Sequence, residues 1–124
     1  MSPSQLNGLL QSNVLDLRFL RRRPRSGVPP SRRMLCTLDS SILNSVNGRT
    51  VLNYNPPGTA NLPYNAYGKG LSMVWDVMMQ SFRMVSAESV NIITKFTGDD
   101  TFWNYFNETV QPMTVEQKTS WMNS

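Results

Sequence analysis

Val14-Leu15-Asp16-Leu17-Arg18-Phe19-Leu20 alternates apolar and polar positions, with Leu15, Leu17 and Phe19 on one face and Asp16 and Arg18 on the other. Period two over this length predicts a half-buried strand. Before it, residues 1–13 read as a polar lead-in with a short helical turn around Leu6, Leu9 and Leu10. Arg33-Met34-Leu35-Cys36-Thr37 resumes a strand. Asp39 ahead of Ser40–Val46, with Asn47-Gly48 behind it, suits a short capped helix. The competing reading makes Asn47-Gly48 a hairpin turn into a strand over Arg49–Tyr54; of the two, the helix is preferred.

Asn55-Pro56-Pro57-Gly58 ends that run, and the stretch to Gly70 reads as an ordered surface loop anchored by Tyr64 and Tyr67. Leu71–Met79 carries the strongest strand pattern, with Leu71, Met73, Trp75 and Val77 on a shared face. Gln80-Ser81 reverses the chain, Phe82–Val85 returns as a hairpin partner, and Val90–Phe96 follows one tight turn later. Five or six short strands at this spacing predict a mainly β fold, a small antiparallel barrel.

The period then changes. Asp99 or Asp100 can cap a helix in which Phe102, Trp103, Phe106 and Val110 recur at helical spacing, and Pro112 breaks it. Thr114-Val115-Glu116-Gln117 matches a capping box opening a last helix with Trp121 and Met122. These helices are expected across one open end of the barrel. The chain of 124 residues supports one domain. Within it, 1–33 is read as a strand plus a basic Pro-rich arm, 34–98 as the barrel core and 99–124 as C-terminal helices.

Charge changes the picture at the N-terminal end. Residues 1–49 hold eight arginines and two aspartates, for +6, whereas residues 50–124 carry −2. Arg21, Arg22, Arg23, Arg25, Arg32 and Arg33 fall in one stretch with Pro24, Pro29 and Pro30, which forbid a regular helix there. The expectation is an extended basic arm. Guanidinium groups pair bidentately with phosphate, and closely spaced ones bind polyanions through counterion release. The same arm can dock on an acidic protein surface, which is the favoured use.

Chemistry is scarce elsewhere. The chain has no histidine and one cysteine, so Cys/His zinc sites, Ser-His-Asp triads and internal disulfides cannot be assembled from it. Cys36 reads as a small buried hydrophobe, and a lone thiol suits a reducing, intracellular setting. Met1–Leu10 has neither a basic start nor a long apolar stretch, so no signal peptide is read there, and no apolar run is long enough to span a membrane. Tyr67-Gly68-Lys69-Gly70 lacks the spacing of a phosphate loop. No catalytic, cofactor or metal residues are assigned, and the protein is expected not to be an enzyme. Arg18 beside Asp16, and Asp76 across the hairpin from Arg83, are expected to form structural charge pairs. Met73, Met78, Met79 and Met84 read as core filler, or, where exposed, as an adaptable protein surface. Tyr64, Tyr67, Trp103, Phe106 and Trp121 are the candidate partner anchors.

The order Arg32-Arg33-Met34-Leu35-Cys36-Thr37-Leu38-Asp39, Leu52-Asn53-Tyr54, Pro56-Pro57, then Met73-Val74-Trp75-Asp76-Val77-Met78-Met79-Gln80 and Phe82-Arg83-Met84-Val85 resembles a group of small proteins of iridoviruses and other large nucleocytoplasmic DNA viruses. That group is similar to WYL-like small barrels of the SH3 or Sm type. The Trp75-Asp76 pair followed by Phe82-Arg83 is the most specific part, and residues 14–110 carry the resemblance. It implies a barrel and a viral origin, and brings no catalytic motif. The expectation is therefore a non-enzymatic virion or minor capsid component bridging larger viral capsid proteins, made in the host cytoplasm or nucleus. The alternative is a nucleic-acid-binding or regulatory small barrel that uses the arginines on phosphates.

Overall fold

The computed structural model describes residues 1–55 and 67–124, except the side chains of Tyr67 and Asp99. Helix α1 (Pro3–Leu10) begins at a capping box in which Ser2 Oγ accepts from Gln5 N–H and the Gln5 side chain accepts from Ser2 N–H. Strands β1 (Asn13–Leu20) and β2 (Ser31–Thr37) form an antiparallel hairpin. Two short helices follow, α2 (Ser40–Leu43) and α3 (Val46–Thr50). A 3-10 turn (Tyr67–Lys69) leads into β3 (Leu71–Asp76), β4 (Ser81–Ser86), a second 3-10 turn (Ala87–Ser89) and β5 (Asn91–Thr97). Helix α4 (Asp99–Tyr105) runs into a π-helical turn (Phe106–Val110), and α5 (Val115–Met122) ends the chain's structure.

All five strands join one antiparallel sheet in the order β4-β3-β2-β1-β5. The predicted barrel is not closed. β4 and β5 are the two edges, and no ladder joins them among the described residues. β2 and β3 pair at Cys36–Asp76 and Thr37–Trp75 alone, so the sheet is a three-stranded ladder and a hairpin linked by a short seam. It curls about that seam until Val85 of β4 shares a cluster with Leu17 and Phe19 of β1.

Each face of the sheet has its own core. On one, Leu6 and Leu10 of α1 pack with Leu15, Leu17, Phe19, Met34, Cys36 and Val74, and Ala87 closes the cluster. On the other, Val14, Leu35, Trp75 and Phe96 meet Ile42 and Leu43 of α2, Phe102 of α4, and Phe106 and Val110 of the π turn. The C-terminal helices thus cover a sheet face, not a barrel end. Tyr54, Trp75 and Phe82 pack edge to face, with centroids 5.1 Å (Tyr54–Trp75) and 5.0 Å (Trp75–Phe82) apart. β1 is therefore buried on both sides, and Asp16, expected on a solvent face, is 2% exposed.

Two local expectations are corrected. The preferred helix after Asp39 forms as two pieces, α2 and α3, and Gly48 does not close it but lies within α3, where Ser45 Oγ accepts from Gly48 N–H at 2.9 Å and caps the second piece. Helix α4 takes Gly98 as its N-cap, at φ 92°, with no side-chain cap bond from an aspartate. The capping box Thr114–Gln117 opens α5 as expected.

Candidate functional site

The arginine stretch is a hairpin connection and not a free arm. Leu20 pairs with Ser31, and Arg21 N–H donates to Pro30 O at 2.8 Å, closing the loop at its base. Prolines at 24, 29 and 30 cannot donate to a ladder, so the chain leaves β1 at Arg21 and rejoins β2 at Ser31. Arg22, Arg23 and Arg25 stand exposed on this loop, and their guanidiniums make no hydrogen bond or ion pair among the described residues.

The arginines of the stem behave differently. Arg33 forms a bidentate pair with Asp16, its Nε at 2.8 Å from Oδ1 and its Nη2 at 2.5 Å from Oδ2. Its guanidinium also lies 4.3 Å from the centroid of the Trp121 ring. The Asp16 bond raises the Arg33 pKa, partial burial opposing it. Arg32 Nη2 donates to Asp76 Oδ2, and lies 3.5 Å from Met122 Sδ. Asp76 Oδ1 accepts from the main-chain N–H of Met78 and Met79 at 3.0 Å each, so this carboxylate also fixes the turn after β3. Arg18 Nη2 donates to the main-chain oxygen of Ser124 at 2.6 Å, and Arg21 Nη2 to Asn123 Oδ1 at 2.6 Å. Desolvation, with Arg32 and Arg25 nearby, lowers the Arg21 pKa. The result is a cationic patch on the β1–β2 stem on which the end of α5 rests.

The expected charge pairs are thus re-partnered. Asp16 takes Arg33 and leaves Arg18 to the C-terminal residues. Asp76 takes Arg32, because the β3–β4 register sets Ser81 opposite Asp76 and Val74 opposite Arg83. Arg83 is exposed and donates to Phe82 O at 3.3 Å.

Among the candidate anchors, Phe106 is buried in the core, while Trp103 and Trp121 are half-buried against it. Trp103 packs edge to face on Phe102 and Phe106, at 4.9 and 5.8 Å. Tyr64 and the Tyr67 side chain lie outside the described residues. Met78 is buried; Met79 is 44% exposed beside Val115, at a cleft of about 190 Å³ shared with Lys118 and Thr119. Cys36 is fully buried, and desolvation first, then the nearby Asp76, pushes its thiol pKa well up, which disfavours the thiolate. No group of three His, Cys, Asp or Glu side chains that could hold a metal occurs among the described residues, and none of their helices is long and apolar enough to cross a membrane.

Sequence reasoning did not foresee Asp16 and Asp76 as the partners of the stem arginines, nor α5 as their cover. The signal available was weak: the one acidic residue in the β1 pattern sits on the face that Arg33 reaches once β2 returns antiparallel and sets it opposite Arg18. Comparison of the chain with protein-family models, curated proteins and solved structures gives no match.

Proposed function

We propose that the protein is a non-enzymatic assembly component, a minor structural piece of the virion of a large DNA virus, and that the tip of the β1–β2 hairpin is its docking element. The observation that carries this reading is the division among the arginines. Arg18, Arg21, Arg32 and Arg33 are held by partners within the chain, while Arg22, Arg23 and Arg25 have no partner among the described residues and stand exposed on a loop tied at its base. A closed loop with three unneutralised cations fits a concave acidic surface on a larger shell protein. The open sheet supports the same role, since β4 and β5 leave edge N–H and C=O groups for a neighbour. The strand order, with a 3-10 turn between β4 and β5, also supports kinship with small barrels of the SH3 or Sm type.

The test compares wild type with Arg22→Gln/Arg23→Gln/Arg25→Gln. Wild-type protein is expected in purified particles at a fixed ratio to the major shell protein. The triple variant is expected to be absent from particles while melting within about 1 °C of wild type, because exposed charges contribute little to stability. Equal incorporation of the two proteins overturns the proposal. The rival role on nucleic acid would show as duplex oligonucleotide binding whose log affinity falls with log salt at a slope of about −2.7, since three phosphates are neutralised. The triple variant would lose that slope.

A further inference from the structure

We propose that the stem arginines form an oxyanion-binding site, fitted to a phosphate group, that the C-terminal end of α5 occupies in the resting protein. Arg18 and Arg33 are direct cross-strand neighbours in the β1–β2 register, an unfavourable placement for two like charges. Arg21 follows β1 directly and bonds Asn123, the residue before the one Arg18 and Arg33 reach, and it is close enough to Arg32 to feel its charge. Four guanidiniums therefore share two carboxylates, Asp16 and Asp76, which leaves a side-chain excess of two positive charges in one patch.

What fills the patch is a set of oxygens from two successive residues. Arg21 reaches Asn123 Oδ1 at 2.6 Å, Arg18 reaches the Ser124 main-chain oxygen at 2.6 Å, and Arg33 reaches Ser124 Oγ at 3.4 Å. Oxygens converging from several directions onto planar N–H forks are the arrangement a tetrahedral oxyanion provides with more charge. The site also has unspent capacity. Arg18 Nε and Arg32 Nε are buried and have no acceptor among the described residues. Buried donors left unpaired carry a penalty that an incoming oxyanion relieves.

The cover is built to leave. Helix α5 buries none of its side chains fully, unlike α1, α2 and the α4–π segment. It is held on the patch by the polar bonds above, by Arg33 over Trp121, and by Met122 against Arg32. An anion that outcompetes the Asn123 and Ser124 oxygens displaces the end of the helix, and displacement frees the half-buried Trp121 ring. The site is separate from the hairpin tip, so it neither needs nor disturbs the docking role of Arg22, Arg23 and Arg25.

The experiment titrates the full-length chain at low salt with inorganic phosphate in one arm and a short single-stranded oligothymidylate in the other. It follows Trp fluorescence and the arginine side-chain NMR signals. Trp121→Ala and, more gently, Asn123→Ala weaken the cover by removing the contacts to Arg33 and Arg21 while keeping every arginine in place. Either is expected to tighten anion binding about five-fold, because the fraction of open sites rises. Arg18→Gln/Arg21→Gln placed on top abolishes the gain. A gain with phosphate alone identifies a free-phosphate ligand, and a gain with the oligonucleotide alone identifies a nucleic-acid backbone. Affinity unchanged by both cover variants, or a gain that survives Arg18→Gln/Arg21→Gln, overturns the proposal. Because the tip arginines are intact in every variant, failure here leaves the docking reading untouched.

Discussion

Replacing Asp16 by Asn keeps the side chain's size and removes its charge from a position where the carboxylate is 3% exposed. In the wild type this group accepts two bonds from Arg33, at 2.8 and 2.5 Å. Removing one partner of a buried ion pair costs about 3–5 kcal/mol, chiefly because the other charge is left uncompensated. Arg33 keeps 22% of its side-chain surface in solvent and rests on Trp121, which places the expected loss near the lower end, at about 3 kcal/mol. The directly opposed Arg18 acts in the same direction, since the carboxylate offsets two neighbouring guanidiniums and not one.

A loss of that size lowers the melting temperature of a domain of this length by roughly 10 °C, and moves the urea midpoint without changing the slope. The double variant Asp16→Asn/Arg33→Met is expected to recover part of the loss, giving a coupling energy of about 2 kcal/mol in the cycle with the single variants. Urea unfolding of the four proteins followed by Trp fluorescence measures both quantities. A stability change within about 0.5 kcal/mol for Asp16→Asn, or a coupling of that size, would mean the pair behaves as a solvent-exposed one. The account of Asp16 as the buried partner that holds Arg33 on the stem would then be wrong.

Gly48→Ala places a Cβ about where main-chain oxygens already sit, 2.2 Å from Ile42 O and 2.4 Å from Leu43 O, so the α2–α3 junction must shift; a loss of about 2–3 kcal/mol in urea unfolding is expected. Cys36 is expected to resist a thiol reagent at pH 8 in the folded protein, reacting only through the rare opened state and so orders of magnitude more slowly than in urea-unfolded protein. The Tyr105 pKa is raised by burial first and by Asp16 second, so the stability it contributes is full below about pH 10 and is lost as pH rises through the folded value. Urea midpoints at pH 8 and 10.5 should therefore fall less in Tyr105→Phe than in wild type. Thr114→Ala removes the cap that opens α5, and is expected to raise amide exchange across Val115–Met122 about five-fold while leaving β1 and β2 protected.

The strand over 14–20 was legible from its alternation and β5 from the β-branched run over 90–96, the run over 71–79 gave β3 but stopped as a strand at Asp76, and the capping box at Thr114 marked α5 to the residue. Those signals are local, and local structure answers to them. The hairpin between β1 and β2 was not legible, because a Pro- and Arg-rich loop of this length has the same composition as a free arm. Only the Leu20–Ser31 register, a contact between distant residues, tells the two apart. Barrel closure failed for a related reason: five strands were visible, but nothing in their patterns shows that β2 and β3 share so short a seam. Asp76 was assigned to Arg83 by nearness along the hairpin, yet its true partner is 44 residues away. Residue type told that these charges must be paired, and topology decided with what.

Helix α5 is where these lines meet. The two cores are built from α1, the sheet, α2 and the α4–π segment, and α5 adds to them only the half-buried Trp121. Its hold on the body is therefore directional and electrostatic more than apolar, and a helix of eight residues has little stability of its own away from that hold. Elements of this kind open at a small fraction of the global unfolding free energy. In the proposed opening of α5 the stem's excess positive charge is exposed and the cores lose only the Trp121 contact, so the cost to the fold that carries the patch is small. The tip arginines have no such cover among the described residues. One chain thus displays an uncovered cationic feature beside a conditional one, and the difference between them is set by whether an oxygen of Asn123 or Ser124 is within reach.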